Sequence, residues 1–107
     1  MIRRGAIVEI RQLPGARGHE RQGNRYAVVI QSDQFATSTV TVAMTSTSAA
    51  SAVYRPEIEF DGRTTRILTD QIYSVDPAAR FGAFKGALDA EGLRDLDRAL
   101  MLKLGLF

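Results

Sequence analysis

Gly18-His19-Glu20-Arg21-Gln22-Gly23-Asn24-Arg25-Tyr26-Ala27-Val28-Val29-Ile30-Gln31 passes from a polar, charged loop into an apolar run. The Ala-Val-Val-Ile tetrad reads as a strand buried on both faces, beginning at Arg25 and ending at Gln31. A strand entrance holds its first side chain rigidly at a loop mouth, and here that side chain is an arginine. Just downstream, Thr39 to Thr45 alternates, with Val40, Val42 and Met44 turned inward, and then opens into Ser46-Thr47. If the two strands pair, a cation and a hydroxyl cluster lie at one rim. A forked, permanent charge beside a neutral donor suits a phosphate.

Other strands surround this pair. Ala6 to Arg11 places Ala6, Val8 and Ile10 on one face. Gln12 to Asn24 contains Pro14, Gly15, Gly18 and Gly23 without an apolar period, and reads as a long functional or disordered loop. Pro56 to Phe60 and Arg63 to Leu68 flank Asp61-Gly62, a tight-hairpin signal. Ser46 to Ser51, small and polar, reads as a flexible loop. Gln71 to Val75 reads as a further short strand ended by Asp76-Pro77. Phe81 to Leu88 is open between a strand and an irregular connection.

The C-terminus changes period. Asp89 is placed to cap a helix with Glu91 in its first turn. Leu93, Leu96, Leu100 and Leu104 make one apolar face, and Gly105 stops it. Short strands followed by one helix predict a mainly β fold, a small curled sheet or barrel with the helix packed on it. The 107 residues and 45% hydrophobic content suit a single domain spanning residues 1–107 with one modest core.

Composition narrows the chemistry. No apolar run approaches the roughly 18 residues of a membrane span. Arg3 and Arg4 lead into a strand-like segment, so no signal peptide is expected. The absence of cysteine rules out disulfides, thiolate catalysis and cysteine-based zinc sites, and fits a cytoplasmic location. His19 is the single histidine, so no histidine metal cluster exists. No Gly-x-Ser-x-Gly elbow or phosphate-cradling Gly-Lys loop is present. Net charge is +2, but residues 1–26 hold six arginines against Glu9 and Glu20. That basic quarter fits an anionic partner such as nucleic acid, with a solvated arginine-rich surface as the alternative. Tyr26, Phe35 and Tyr54 border polar loops where rings can stack on bases or pack in the core.

Several segments in order resemble the MazF/PemK toxin family. They are Arg4-Gly5, Gly18-x-Glu20-x-x-Gly23-x-Arg25, Val28-Val29-Ile30-Gln31-Ser32-Asp33 and Val42-Ala43-Met44-Thr45-Ser46-Thr47. Leu68-Thr69-Asp70-Gln71-Ile72 and Leu104-Gly105-Leu106 continue the match over nearly the whole chain. The resemblance implies an SH3-like small barrel of the MazF/PemK/CcdB kind with a C-terminal helix, usually a homodimer. It implies metal-independent, cofactor-free cleavage of single-stranded RNA, silenced by a cognate MazE-like antitoxin. Relatives with this barrel that instead poison DNA gyrase by binding mark the alternative activity.

By resemblance, Arg25 matches the catalytic arginine and Thr45 the catalytic threonine. His19, Glu20, Arg21, Gln22 and Asn24 fall in the RNA-contacting loop, and Ser46 and Thr47 flank the phosphate position. Asp70 and Gln71 match a recurring pair with a structural or catalytic role. The family usually has proline after the arginine. Tyr26 stands there instead, restoring an N–H donor and adding a ring beside the site. Arg25 and Thr45 both sit at strand ends, so neither is expected to serve core packing.

Overall fold

The computed structural model describes residues 2–11 and 25–106. Its elements are β1 (Ala6–Ile10), β2 (Arg25–Val29), β3 (Val40–Ser46), β4 (Glu57–Phe60), β5 (Arg63–Val75), the one-turn α1 (Pro77–Arg80), β6 (Phe81–Ala87) and α2 (Ala90–Leu104). The strands form one antiparallel sheet in the order β4-β5-β3-β2-β1-β6. The sheet curls into a half-barrel, as the pattern of short strands led one to expect.

Alternation sorts the side chains between two apolar layers. Ala6, Val8, Ile10, Ala27, Val29, Val42, Met44 and Leu68 fill the inner face. Ile7, Val28, Ala43 and Ile67 point the other way and pack with Leu96 of α2. The central strands β2 and β3 are therefore buried on both sides, which is why Ala27-Val28-Val29 carries no polar residue.

The hairpin between β4 and β5 follows from Asp61-Gly62. Both residues have positive φ, 54° and 74°, the backbone that a two-residue turn of this hand requires. The sequence reading splits residues 63–75 into two strands, whereas the structure has one. The ladder with β3 pairs Met44 with Leu68 but Ala43 with Ile72, so Thr69, Asp70 and Gln71 are extra residues in a bulge. A bulge looks like a strand break in sequence because it interrupts the period of two. Of residues 81–88, left open by pattern, Phe81–Ala87 form the edge strand β6 against β1. The preceding turn of helix went unanticipated; the Asp76 carboxylate caps it by accepting from Ala78 N–H at 3.0 Å.

Helix α2 begins where the Asp89 carboxylate accepts from Gly92 N–H at 2.8 Å, and ends at left-handed Gly105. Arg4 fastens it to the sheet: its guanidinium lies 2.7 Å from Asp97 and donates to the Ile30 carbonyl at 2.9 Å. Leu96 and Ala99 are buried and Leu93 and Leu100 half-buried, but Leu104 is exposed. The predicted core stripe thus serves as core only through Leu100. The helix overruns the sheet, leaving Met101, Leu102, Leu104 and Leu106 exposed.

Candidate active site

Strand β2 starts at Arg25, and its antiparallel neighbour β3 ends at Ser46, so the start of one lies beside the end of the other. The last paired residues are Ala27 and Met44. Beyond them the Thr45 hydroxyl donates to the Tyr26 carbonyl at 2.9 Å and closes the gap between the strands. Strand β5 runs on past its last β3 partner, the Ser46–Arg66 pair, so the β4–β5 hairpin overhangs the same corner. The result is a cleft of about 480 Å³. Arg25 and Tyr26 line it from β2, Thr45 to Ser48 from the end of β3, and Phe60, Asp61, Arg63 and Thr65 from the hairpin.

The cleft unites the sequence-selected Arg25, Tyr26, Thr45, Ser46 and Thr47, and each occupies a distinct setting. Arg25 and Thr47 are exposed. Thr45 is only 5% exposed, so the expectation that it takes no part in packing does not hold. The strand continues to Ser46, and Thr45 is enclosed between its neighbours. Ser46 is also buried, and its hydroxyl accepts from Ser48 N–H at 3.1 Å and Ala49 N–H at 2.9 Å. That oxygen shapes the following turn. Tyr26 is half-buried and meets Phe60 edge to face, with ring centroids 5.2 Å apart. The ring that replaces the usual proline thus helps hold the hairpin over the cleft. The expectations for His19, Glu20, Arg21, Gln22 and Asn24 lie outside the described residues.

Sequence reasoning missed Arg63. It appeared only as the first residue of a strand, and the signal that could have found it was the Asp61-Gly62 turn beside it. The described charged lining of the cleft is Arg25, Arg63 and Asp61.

Asp70 lies elsewhere. The bulge in β5 aims its carboxylate at Arg55, which donates from Nε at 3.1 Å and Nη2 at 2.8 Å. These hydrogen bonds hold the Asp70 carboxyl below the usual carboxylate range, against the opposing effect of burial, and raise the Arg55 pKa. Arg55 also donates to the Ala50 carbonyl, Arg66 donates to the Ala49 carbonyl, and the Thr69 hydroxyl donates to the Tyr54 carbonyl. Ser46 to Ser51 is therefore a fastened loop rather than the free one its composition suggests. Of the two roles left open for Asp70, the structural one matches its contacts.

A family model for PemK-like, MazF-like toxins of type II toxin–antitoxin systems matches residues 3–104. The chain belongs to this toxin family. A relative from Mycobacterium tuberculosis (strain ATCC 25618 / H37Rv), provisionally named a toxin, is 42% identical over 106 residues, covering 99% of this chain and 100% of that protein. The fold is shared with solved structures at lower identity. One is an endoribonuclease in complex with its cognate antitoxin from a mycobacterial species, with a TM-score of 0.82, 15% identity and coverage of 100% of this chain and 98% of that one. Another is MazF from Deinococcus radiodurans, with a TM-score of 0.81, 20% identity and coverage of 97% and 96%. Among the described residues, no helix of this MazF-like toxin is long and apolar enough to cross a membrane.

Proposed function

We propose that this toxin is a sequence-specific, metal-independent endoribonuclease that cleaves single-stranded RNA in the cytoplasm. The observation that supports this most is the meeting of Arg25 and Thr45 in one cleft, from strands that pair antiparallel. In the reaction, the ribose 2′-oxygen bonds to the adjacent phosphorus as the bond from phosphorus to the 5′-oxygen breaks. The 2′-hydroxyl gives up its proton and the departing 5′-oxygen gains one. The products are a 2′,3′-cyclic phosphate and a 5′-hydroxyl.

Arg25 stabilises the charge that builds on the phosphate oxygens. A preorganised donor there typically contributes about 2.7–4 kcal/mol. Thr45 adds a neutral hydrogen bond. A hydroxyl has one proton, so donation to phosphate requires Thr45 to release the Tyr26 carbonyl it now contacts. A guanidinium is a poor base, which assigns proton acceptance to another group, with His19 or Glu20, close in sequence to Arg25, as candidates.

Two partners accompany this reading. An acidic, partly disordered segment of a MazE-like antitoxin covers the cleft and obstructs Arg25, folding as it binds. The toxin itself is a two-fold homodimer that extends the RNA groove across both subunits. The exposed Met101, Leu102, Leu104 and Leu106 fit a chain that buries apolar surface in assembly. Sedimentation showing only an 11.7 kDa species at micromolar concentration would contradict the dimer.

The deciding experiment is incubation of purified toxin with a long mixed-sequence transcript, with and without chelator, followed by mass spectrometry of the RNA ends. Cyclic-phosphate ends in both arms are expected. A protein that leaves RNA intact but arrests gyrase is a binding poison instead.

A further inference from the structure

Arg63 lies outside the segments that carry the family resemblance, yet it lines the same cleft as Arg25 and Thr45. It opens β5 directly opposite Phe60, across the two-residue Asp61-Gly62 turn. Directly opposed residues share a face of the sheet, so the guanidinium and the Phe60 ring are presented together. The ring is in turn braced against Tyr26.

Neighbouring arginines are occupied. Arg66 donates to Glu57 and the Ala49 carbonyl, and Arg55 donates to Asp70 and the Ala50 carbonyl. The Arg63 guanidinium makes no hydrogen bond or ion pair among the described residues. Asp61 also lines the cleft without an ion pair to Arg63, and its charge offsets only part of that of the two arginines. A cation without a hydrogen-bonding or ionic partner among the described residues, on a tight hairpin and beside a ring, has the elements of a nucleotide subsite. The fork suits phosphate oxygens and the ring suits a base.

We propose that Arg63 is a second phosphate anchor, holding the RNA phosphate next to the one at Arg25, with the intervening base against Phe60. This rests on the endoribonuclease reading and adds a positioning residue to it. Arg25 acts on the reacting phosphate, whereas Arg63 sets where the chain lies.

The test measures binding of a 2′-O-methyl, hence uncleavable, mixed-sequence single-stranded RNA by fluorescence anisotropy across a salt series. Cleavage of a mixed-sequence transcript is followed in parallel. Arg63→Ala is expected to raise Kd roughly tenfold at moderate salt, the loss of one charged hydrogen-bonding contact. It should also flatten the plot of log K against log salt by about 0.7, the release expected for one single-strand phosphate. KM should rise more than kcat falls. Arg63→Lys should keep the salt slope, because it keeps the charge, while recovering only part of the affinity. An Arg63→Ala variant with the parent's Kd and slope overturns the anchor and leaves the nuclease standing. A parent that binds RNA without cutting it, with the slope flattened by about 0.7 in Arg63→Ala, keeps the anchor and overturns the nuclease. A parent that binds no RNA overturns both.

Discussion

Arg55 and Arg25 are placed alike in sequence, each bordering a polar stretch and a strand, and the structure uses them in opposite ways. Arg55 is a latch. Both oxygens of Asp70 take its donors, the two side chains are 18% and 20% exposed, and Lys103 stacks over the adjacent Tyr54 ring at 4.5 Å. Arg25 is exposed at the mouth of a cleft that also holds Thr45, Thr47 and Arg63. The hydrogen bonds from Arg55 to Asp70 close within the protein and stabilise it, while Arg25 borders a cleft that a ligand can enter. Substitution at the latch should therefore change stability, and substitution at the rim should change activity.

The sharpest way to break that contrast is Arg25→Ala. Cleavage should fall by about 10²–10³-fold or more, with an unchanged circular dichroism spectrum, because the lost donor acts on transition-state charge. Arg25→Lys should rescue poorly, since lysine keeps the charge but loses the fork. A folded Arg25→Ala that cuts RNA at the parent rate would put the site elsewhere.

Thr45 bridges the two regions, being both buried and in the cleft, and its effect should be smaller. Thr45→Val removes the hydroxyl while keeping the shape. It should lower the cleavage rate about 10–100-fold, the loss of one hydrogen bond at a partly buried site. Thr45→Ser should retain most activity. Equal rates for Thr45→Val and the parent would leave the hydroxyl with only its contact to Tyr26.

At the latch, Asp70→Asn should cost about 1–3 kcal/mol of stability, measured by urea unfolding, because the charged hydrogen bonds to Arg55 weaken. Cleavage per folded molecule should change far less than in Arg25→Ala. An Asp70→Asn toxin of parent stability but lost activity would move Asp70 into the chemistry.

The smallest effect is in pH. The Asp70 carboxyl titrates lower in the folded protein than in the unfolded chain, so the unfolded chain binds more protons as pH falls. The latch's contribution is complete above the ordinary carboxylate range and fades as pH drops through the lowered value. Between about pH 5 and pH 3 the parent should therefore lose more stability than Asp70→Asn. Parallel acid-unfolding curves for the two would remove the latch from the account.

Much of this contrast was already legible in the sequence. Arg25 at a strand entrance and Thr45 at a strand end, both facing polar loops, pointed to one rim, and the observed pairing of β2 with β3 brings them into one cleft. The buried oxygen of Ser46 and the fastening of the loop after it were not legible. Both depend on hydrogen bonds to partners that composition does not reveal. Arg63 was overlooked because its position follows from how far β5 outruns β3, and that overhang exists only once the ladder is registered.

The sequence by itself determined the elements that carry local signals. Alternating apolar residues dictated β1 and β3, a continuous apolar run β2, Asp61-Gly62 a hairpin, and Asp89 with Gly105 the ends of the helix, since period, turn conformation and capping are properties of adjacent residues. The tertiary structure alone decided what depends on residues far apart in the chain. It joined two apparent strands into β5 through a bulge that aims Asp70 at Arg55. It also ended the core face of α2 at Leu100, and hung Arg63 over the cleft of Arg25. Each outcome rests on strand order and register, which the packing of both sheet faces selects and no single stretch encodes.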